Sequence, residues 1–527
     1  MALIVLDGTI VGVALPAIID DLNLALTEAQ WLTSLYAVTF AALLLTCGRL
    51  GDRHGRRALF LLGVTIFVAG SLTAAGADDG GELIASRCVQ GVGGAMVLPA
   101  TLSTVNATFR GRDRTLAFGL WGAVMAAAAA IGPLLGGWLT TAASWRWIFL
   151  VNLPLGAVIL LVGARFVAET RGDQEQTGFD GWGLVGSAVG FGAVIFGLIE
   201  GSNLGWLQPT REVGLGPLTW PASAPVSLPL VALLIGTLAL GLFLAVERQR
   251  LARGHLVILD LSLFGVPTFA WGNLTAVMVA AGEFALLFVL PLYLVYGLDL
   301  AIIEAGWVLA SMALGAVLAG AAARPLATKL GAPRVVTVGL VLELVSVGVT
   351  GVVIAGRPSM ALVMVALAVY GLGLGLASAQ LTSTVLHDIP LAQSGTASAT
   401  QSTVRQLGSA FGAALAGTAL AASFTLTVPA QLARVAGVSA DDAATMIEYM
   451  SRTGGAVIGM IRERGTTGFF GPLGPSVADA LSVSLAQSSA LVAGLAAGFI
   501  ALGVAGALAV ETAARTVQRS KTEANSR

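Results

Sequence analysis

The sequence predicts an all-α membrane protein with fourteen transmembrane helices, and two observations predict it. Of its 527 residues, 56% are hydrophobic and 11% charged, with a mean hydropathy of +0.87. A soluble chain carries about a quarter charged residues, so this one cannot cover itself with polar surface. The apolar residues also gather in runs of about twenty, the length a helix needs to cross hydrocarbon while satisfying its own backbone.

In order, the spans fall at 1–20, 30–49, 57–77, 82–105, 114–140, 146–168, 180–200, 225–246, 267–296, 302–323, 334–356, 358–380, 393–424 and 486–510. The first is short and holds Asp7; the thirteenth holds Arg405. Met1 to Ile19 has no basic n-region and Asp7 interrupts its apolar run, so it reads as a membrane helix rather than a signal peptide. Lys and Arg set the orientation. With both termini inside, 19 of the 28 fall on the cytoplasmic side and seven outside, with Arg87 and Arg405 within spans. Two outer segments are long. Residues 201–224 are rich in Gly, Pro and Trp and read as irregular; 425–485 read as an external loop in which Ser439 caps a short amphipathic helix.

Several classes of function are disfavoured. The net charge of −1 gives nucleic acid no footprint, and Cys47 and Cys88 lie in apolar runs as small core residues. No Gly-Lys pair occurs, so there is no ATP-binding loop; His54, His255 and His387 have no metal spacing; no G-x-S-x-G is present. The chain reads as neither an enzyme nor a holder of a cofactor or metal.

Charged groups inside the spans carry the functional argument. A carboxylate in hydrocarbon costs about 2.5–3.5 kcal/mol on insertion scales, so Asp7, Glu283 and Glu343 each need a reason to be there. Glu283 sits in "MVAAGEFALLFVLPLYLV", apolar on both sides; Glu343, in the eleventh span, is expected to face a neighbouring helix. In "LIASRCVQGVGGAMVLP", Arg87, Gln90, Gly91 and Gly94 share one helix face at i, i+3, i+4 and i+7. "GLWGAVMAAAAAIGPLLGGWL" places Gly132, Pro133, Gly136 and Gly137 where close packing and a kink serve a rocking interface. Gln380, and Gln401 with Arg405 one turn on, are candidates for a polar lining.

"GRLGDRHGRRALF", residues 48–60, joins the second and third spans with Asp52 among Arg53, Arg56 and Arg57, and "ARPLATKLGAPR", residues 323–334, is a weaker copy with Thr328 in place of the acid. The first loop resembles the signature of the major facilitator superfamily, and a copy in each half fits the internal repeats of such transporters. With "LDGTIVGVALPAI", "SWRWIFLVNLPLG" and the G-P-x-x-G-G helix, the chain resembles the superfamily's fourteen-span drug:proton antiporters.

The resemblance implies a major facilitator fold: a six-helix bundle at 1–170, two inserted helices and their loops at 171–266, a second six-helix bundle at 267–510 and a cytoplasmic tail at 511–527. It implies proton-coupled efflux of amphiphilic, cationic compounds by alternating access, with export of a native metabolite, antibiotic or lipid as the alternative. A non-transporting receptor or membrane enzyme is the reading from another class. Asp7, facing the central cavity, Arg87 and Glu283 would couple protons. Gly48, Asp52, Arg53, Gly55, Arg56 and Arg57 would form a cytoplasmic gate. Gly132, Pro133, Gly136 and Gly137 would be the antiporter motif, and Gln90, Gln380, Gln401 and Arg405 would line the cavity. A monomer in a bacterial inner membrane, with protons, lipids and a small amphiphile as partners, is expected. Only six residues precede Asp7; the family's first helix is longer, so an upstream extension of the chain is expected.

Overall fold

The computed structural model describes residues 2–109, 124, 128, 131–171, 180–215, 218–253, 257–356, 359–389 and 393–525. The first half holds α1 (Ala2–Leu22), α2 (Leu26–His54), α3 (Arg56–Ala75) and α4 (Gly80–Thr108), then α5 (131–142) and α6 (Trp147–Phe166). An inserted pair follows, α7 (Gly181–Leu204) and α8 (Leu228–Ala252). The second half holds α9 (Pro267–Leu292), α10 (Ile302–Leu330), α11 (Ala332–Ala355), α12 (Met360–Val385) and α13 (Ser394–Leu432). It ends with two short helices, α14 (Ala440–Thr453) and α15 (Val457–Arg464), and the long α16 (Gly474–Asn525).

Twelve of the described helices are long and apolar enough to cross a membrane. The second expected span is α2, whose polar residues dilute its 29-residue length. The fifth lies partly outside the described residues, with 131–142 helical.

Two expected loops are more ordered than their composition implies. In the 201–224 segment, β1 (Val213–Leu215) and β2 (Leu218–Trp220) pair as an antiparallel ribbon. The segment 425–485 is helical at both ends, where α13 continues to Leu432 and α16 starts at Gly474. Within the remainder, Ser439 caps α14 as expected. Its hydroxyl accepts from Asp442 N at 3.1 Å, and the Asp442 carboxylate accepts from Ser439 N at 2.9 Å.

The halves meet at the end of the bundle that carries α14 and α15, the loop end. Gln30 Nε2 on α2 donates to Ala414 O at 2.6 Å and Ser34 Oγ to Ala410 O at 3.2 Å on α13. The Tyr296 hydroxyl, just past α9, donates to Pro16 O at 2.9 Å and Asp20 Oδ1 at 2.8 Å on α1.

The inserted pair packs its two helices together through small residues and leans through α7 on both α2 and α13. At its other end Asp180 and Glu247 are buried. Asp180 caps α7 through Gly183 N at 2.9 Å, and Glu247 accepts from Leu259 N at 2.8 Å. Arg49 of α2 donates to Val257 O beside them, within electrostatic reach of both acids. The inserted helices are thus tied to the first half at the end carrying the 48–57 motif, the motif end.

Candidate functional site

The charges inside the first half form one connected network. Arg87 on α4 is 2% exposed and Asp7 on α1 is 1% exposed, and the two make a direct ion pair. Desolvating two charges is repaid only when the remaining lone pairs and protons find partners. Here they do. Asp7 Oδ1 accepts from Gln90 Nε2 and from Asn152 Nδ2, both at 3.1 Å. Arg87 Nη1 also donates to Gln90 Oε1 at 2.7 Å, and its guanidinium lies 4.2 Å from the Tyr36 ring centroid. Ser71 Oγ accepts from Gln90 Nε2 at 2.8 Å and from Asn152 Nδ2 at 3.2 Å. Helices α1, α3, α4 and α6 are thereby pinned together, with α2 over the cation.

In this conformation Asp7 and Gln90 are both buried, 1% and 0% exposed, and both contact Arg87 in the packed interior of the half. Gly91 and Gly94 of the same helix face seat α4 on α2, since a Cβ at Gly91 would stand 2.9 Å from Tyr36 O and one at Gly94 2.6 Å from the Phe40 ring.

At the motif end, α2 turns into α3 through Gly55 at φ +118°, a conformation L side chains rarely adopt. Glu169, just beyond α6, caps α3 there. Its carboxylate accepts from Arg57 N at 3.0 Å and Ala58 N at 3.2 Å, and a Cβ at Gly55 would strike it at 2.7 Å. Arg56 N donates to Thr170 O at 3.0 Å, Arg56 Nη1 to Ser103 O at 3.2 Å, and Arg57 to Ala164 O. Gly48 brings α2 against Pro99 of α4, and Arg53 is exposed. Asp52 lies in α2, with its side chain outside the described residues. The weaker copy keeps the backbone device: α10 turns into α11 through Gly331 at φ +87°.

The G-P-x-x-G-G stripe faces two ways. Gly132 and Gly136 pack on α1, where added Cβ atoms would stand 1.9 Å from Thr9 Oγ1 and 3.0 Å from Ile10 O. Gly137 faces the other half: its Cβ would be 3.2 Å from Ile302 O and 3.4 Å from Gly306 Cα on α10. Reciprocally, a Cβ at Gly306 would be 2.9 Å from Pro133 O. The stripe is a contact between halves at the loop end, built on backbone against backbone.

In the second half the acids inside the spans, Glu283 and Glu343, have no ion pair among the described residues. Glu283 on α9 is half-buried, with Arg405 of α13 within electrostatic reach but no direct ion pair among the described residues. Gln401, one turn before Arg405, is 2% exposed with its Nε2 unpartnered, and Gln380 is half-buried on α12.

Comparison with known proteins fits this architecture. The family model described as Major Facilitator Superfamily matches residues 1–413. The chain belongs to the major facilitator superfamily. It is 32% identical, over 78% of its length and 69% of the relative's, to a protein described as a probable actinorhodin transporter of Streptomyces coelicolor. It is 30% identical to the multidrug efflux pump LfrA of Mycolicibacterium smegmatis, over 82% of this chain and 81% of that one. The riboflavin transporter RibZ of Clostridioides difficile is 29% identical over 80% and 86%. Among solved structures, a bacterial homologue of the human lysosomal transporter Spinster, inward-facing and unoccupied, superposes with TM-score 0.62 at 16% identity, covering 97% of this chain and 95% of that one. The protein is a multi-pass membrane transporter of this superfamily, not an enzyme.

Within this superfamily member, sequence reasoning missed Asn152, Ser71, Tyr36, Glu169 and Gly306. Asn152 stands in the quoted "SWRWIFLVNLPLG", and a buried amide within an apolar run was its available signal. Ser71 and Gly306 carry no local signal, because their roles exist only once a second helix arrives.

Proposed function

We propose that this superfamily transporter exports amphiphilic, cationic compounds in exchange for protons. The observation that carries the reading is Glu283, a half-buried carboxyl in a membrane helix with no direct ion-pair partner among the described residues. Such a group is available to bind a proton or a cationic substrate, and competition between the two couples their movements. Asp7 and Arg87 belong to the same coupling set: their pair ties α1 to α4, and opening it is the first half's response to a proton. Gln380, Gln401 and Arg405 supply the polar lining on the second half. The gradient supplies the energy, so no cofactor enters.

The Lys and Arg partition places both termini and the motif end in the cytoplasm of a bacterial inner membrane, with 433–473 outside. The halves therefore close toward the outside here, and rocking that parts the Gly137–Gly306 contact would expose the site alternately. The protein works as a monomer.

The test is substrate-induced proton release in proteoliposomes between pH 6 and 8. Glu283→Gln keeps size and hydrogen bonding but cannot ionise, so proton-driven efflux should collapse while downhill exchange persists. Normal coupling in that variant would overturn the reading. A second reading, export of a native metabolite or antibiotic, is supported by the likeness to the probable actinorhodin transporter. A panel that includes anionic and neutral compounds beside cations separates the two.

A further inference from the structure

Glu343 stands at the middle of α11 and is 0% exposed. Neither of its carboxyl oxygens has a hydrogen-bond partner among the described residues. It is packed against α12, where a Cβ on Gly373 would stand 2.9 Å from Glu343 Cγ. Tyr370, also on α12, is 1% exposed and its hydroxyl is likewise unpartnered. The nearby serine, Ser346, already donates to Ala366 O. The ionisable groups within electrostatic reach are Glu283 on α9, Tyr370 on α12 and Arg405 on α13. The stretches 305–323 of α10 and 480–510 of α16 carry none.

An ionised carboxylate held dry with no donor loses its whole hydration shell and gains nothing back, whereas the neutral acid gives up far less. This differs from Asp7, whose charge is met by a cation and two amide donors.

We propose that Glu343 is a further proton-binding site of the transporter, loaded in the conformation seen here. The carboxylate takes up one proton, forming an O–H bond, when the helices close around it. It gives that proton to cytoplasmic water when the half-buried Glu283 side opens, before the halves rock back toward the outside. The proposal rests on the proton-driven reading, and it adds a second carrier, in series with Glu283.

Full-length protein in lipid nanodiscs tests proton occupancy directly, by the infrared stretch of protonated carboxyl groups. Glu343→Gln should remove one such band, Glu343→Asp should restore it, and Tyr370→Phe should shift it without abolishing it. In proteoliposomes with tetraphenylphosphonium as the transported cation, Glu343→Gln should lower the protons released per cation by about half, with Glu343→Asp recovering most of the loss. A protonated band unchanged by Glu343→Gln overturns the proposal. So does loss of the band with unchanged proton release, the result expected of a static structural acid. Should the wild type itself release no protons, the exporter reading fails, and Glu343 is then judged by whether its band titrates between pH 6 and 9. A band that does not titrate refutes it. If Glu343→Gln does not fold, the Tyr370→Phe shift decides, and its absence counts against the proposal.

Discussion

Replacing Gly306 by Ala tests whether the contact between halves is a conformational set point. The added Cβ would stand 2.9 Å from Pro133 O and 3.4 Å from Gly137 Cα, both in the opposite half. A Cβ this close to a backbone atom is not tolerated, so α5 and α10 must separate by a few tenths of an ångström. Overpacking of this kind costs about 1–3 kcal/mol. The clash exists only while the loop end is closed, so the penalty falls on one conformation and moves the equilibrium by about 5–150-fold. Spin labels at Asp78 and Ala301, exposed on opposite halves at this end, report the change by electron–electron distance measurement in a background with Cys47 and Cys88 replaced. The distribution should shift to longer distances in Gly306→Ala and stay put in Gly8→Ala, where nothing lies within 4 Å of the new Cβ. Gly137→Ala should shift it the same way, and the double variant should give less than the sum, because one separation relieves both clashes. An unchanged distribution in Gly306→Ala, with transport intact, would refute the reasoning.

Further outcomes follow from the same geometry. Asp7→Asn leaves Arg87 buried without its counter-charge and should destabilise the protein by about 3–5 kcal/mol in thermal melts, while Asp7→Asn with Arg87→Gln should cost less than the sum of the singles. Glu169→Ala removes the cap on α3 and should cost about 0.5–2 kcal/mol, read as faster amide exchange at residues 57–59; Glu169→Gln should cost less, because it keeps an acceptor. The Ser439 hydroxyl and amide hold the Asp442 carboxyl below its ordinary value of 3.8. The capping box therefore contributes above that ordinary value and is lost as pH falls through the lowered one, so hydrogen exchange across 440–453 should speed up there in the wild type and already at neutral pH in Ser439→Ala.

How much of this was legible beforehand depends on the range of the interaction. The spans, the Ser439 cap, the Gly91/Gly94 face and the two turn glycines at 55 and 331 are written in local spacing and hydropathy, and a single helix or turn expresses them. Asp7 was legible as a group needing a reason, but not the reason itself: the sequence separates it from Arg87 by 80 residues and from Asn152 by 145. In the structure it is buried against a cation that the linear sequence does not place beside it. The G-P-x-x-G-G stripe stood out by its small residues, and in the structure it meets α1 and α10, yet the reciprocal Gly306 has no motif around it. Glu169 lies in a polar stretch where an exposed acid is unremarkable by pattern, and only the positive-φ turn at Gly55 gives it a helix end to cap.

The two halves treat buried charge in opposite ways, and the contrast has mechanical consequences. In the first half, Arg87 and the amides of Gln90 and Asn152 meet the Asp7 carboxylate, with Ser71 joining the fourth helix, and a charge met in a low-dielectric interior holds its helices together. While the pair is closed that half is held as one body, with the inserted helices tied to it through Arg49 at the motif end and leaning on α13 through α7. In the second half, the buried Glu343 carboxyl meets no cation and no donor among the described residues, and the Tyr370 hydroxyl and Gln401 amide are also unpartnered. Unmet groups are where a small change of packing, a proton or a bound cation changes the energy most. On the proposed exchange mechanism, the Gly137–Gly306 contact is the closure that must part when the halves rock, and α9, α11 and α13 carry groups whose energy a proton would change beside the Asp7–Arg87 pair of the first half.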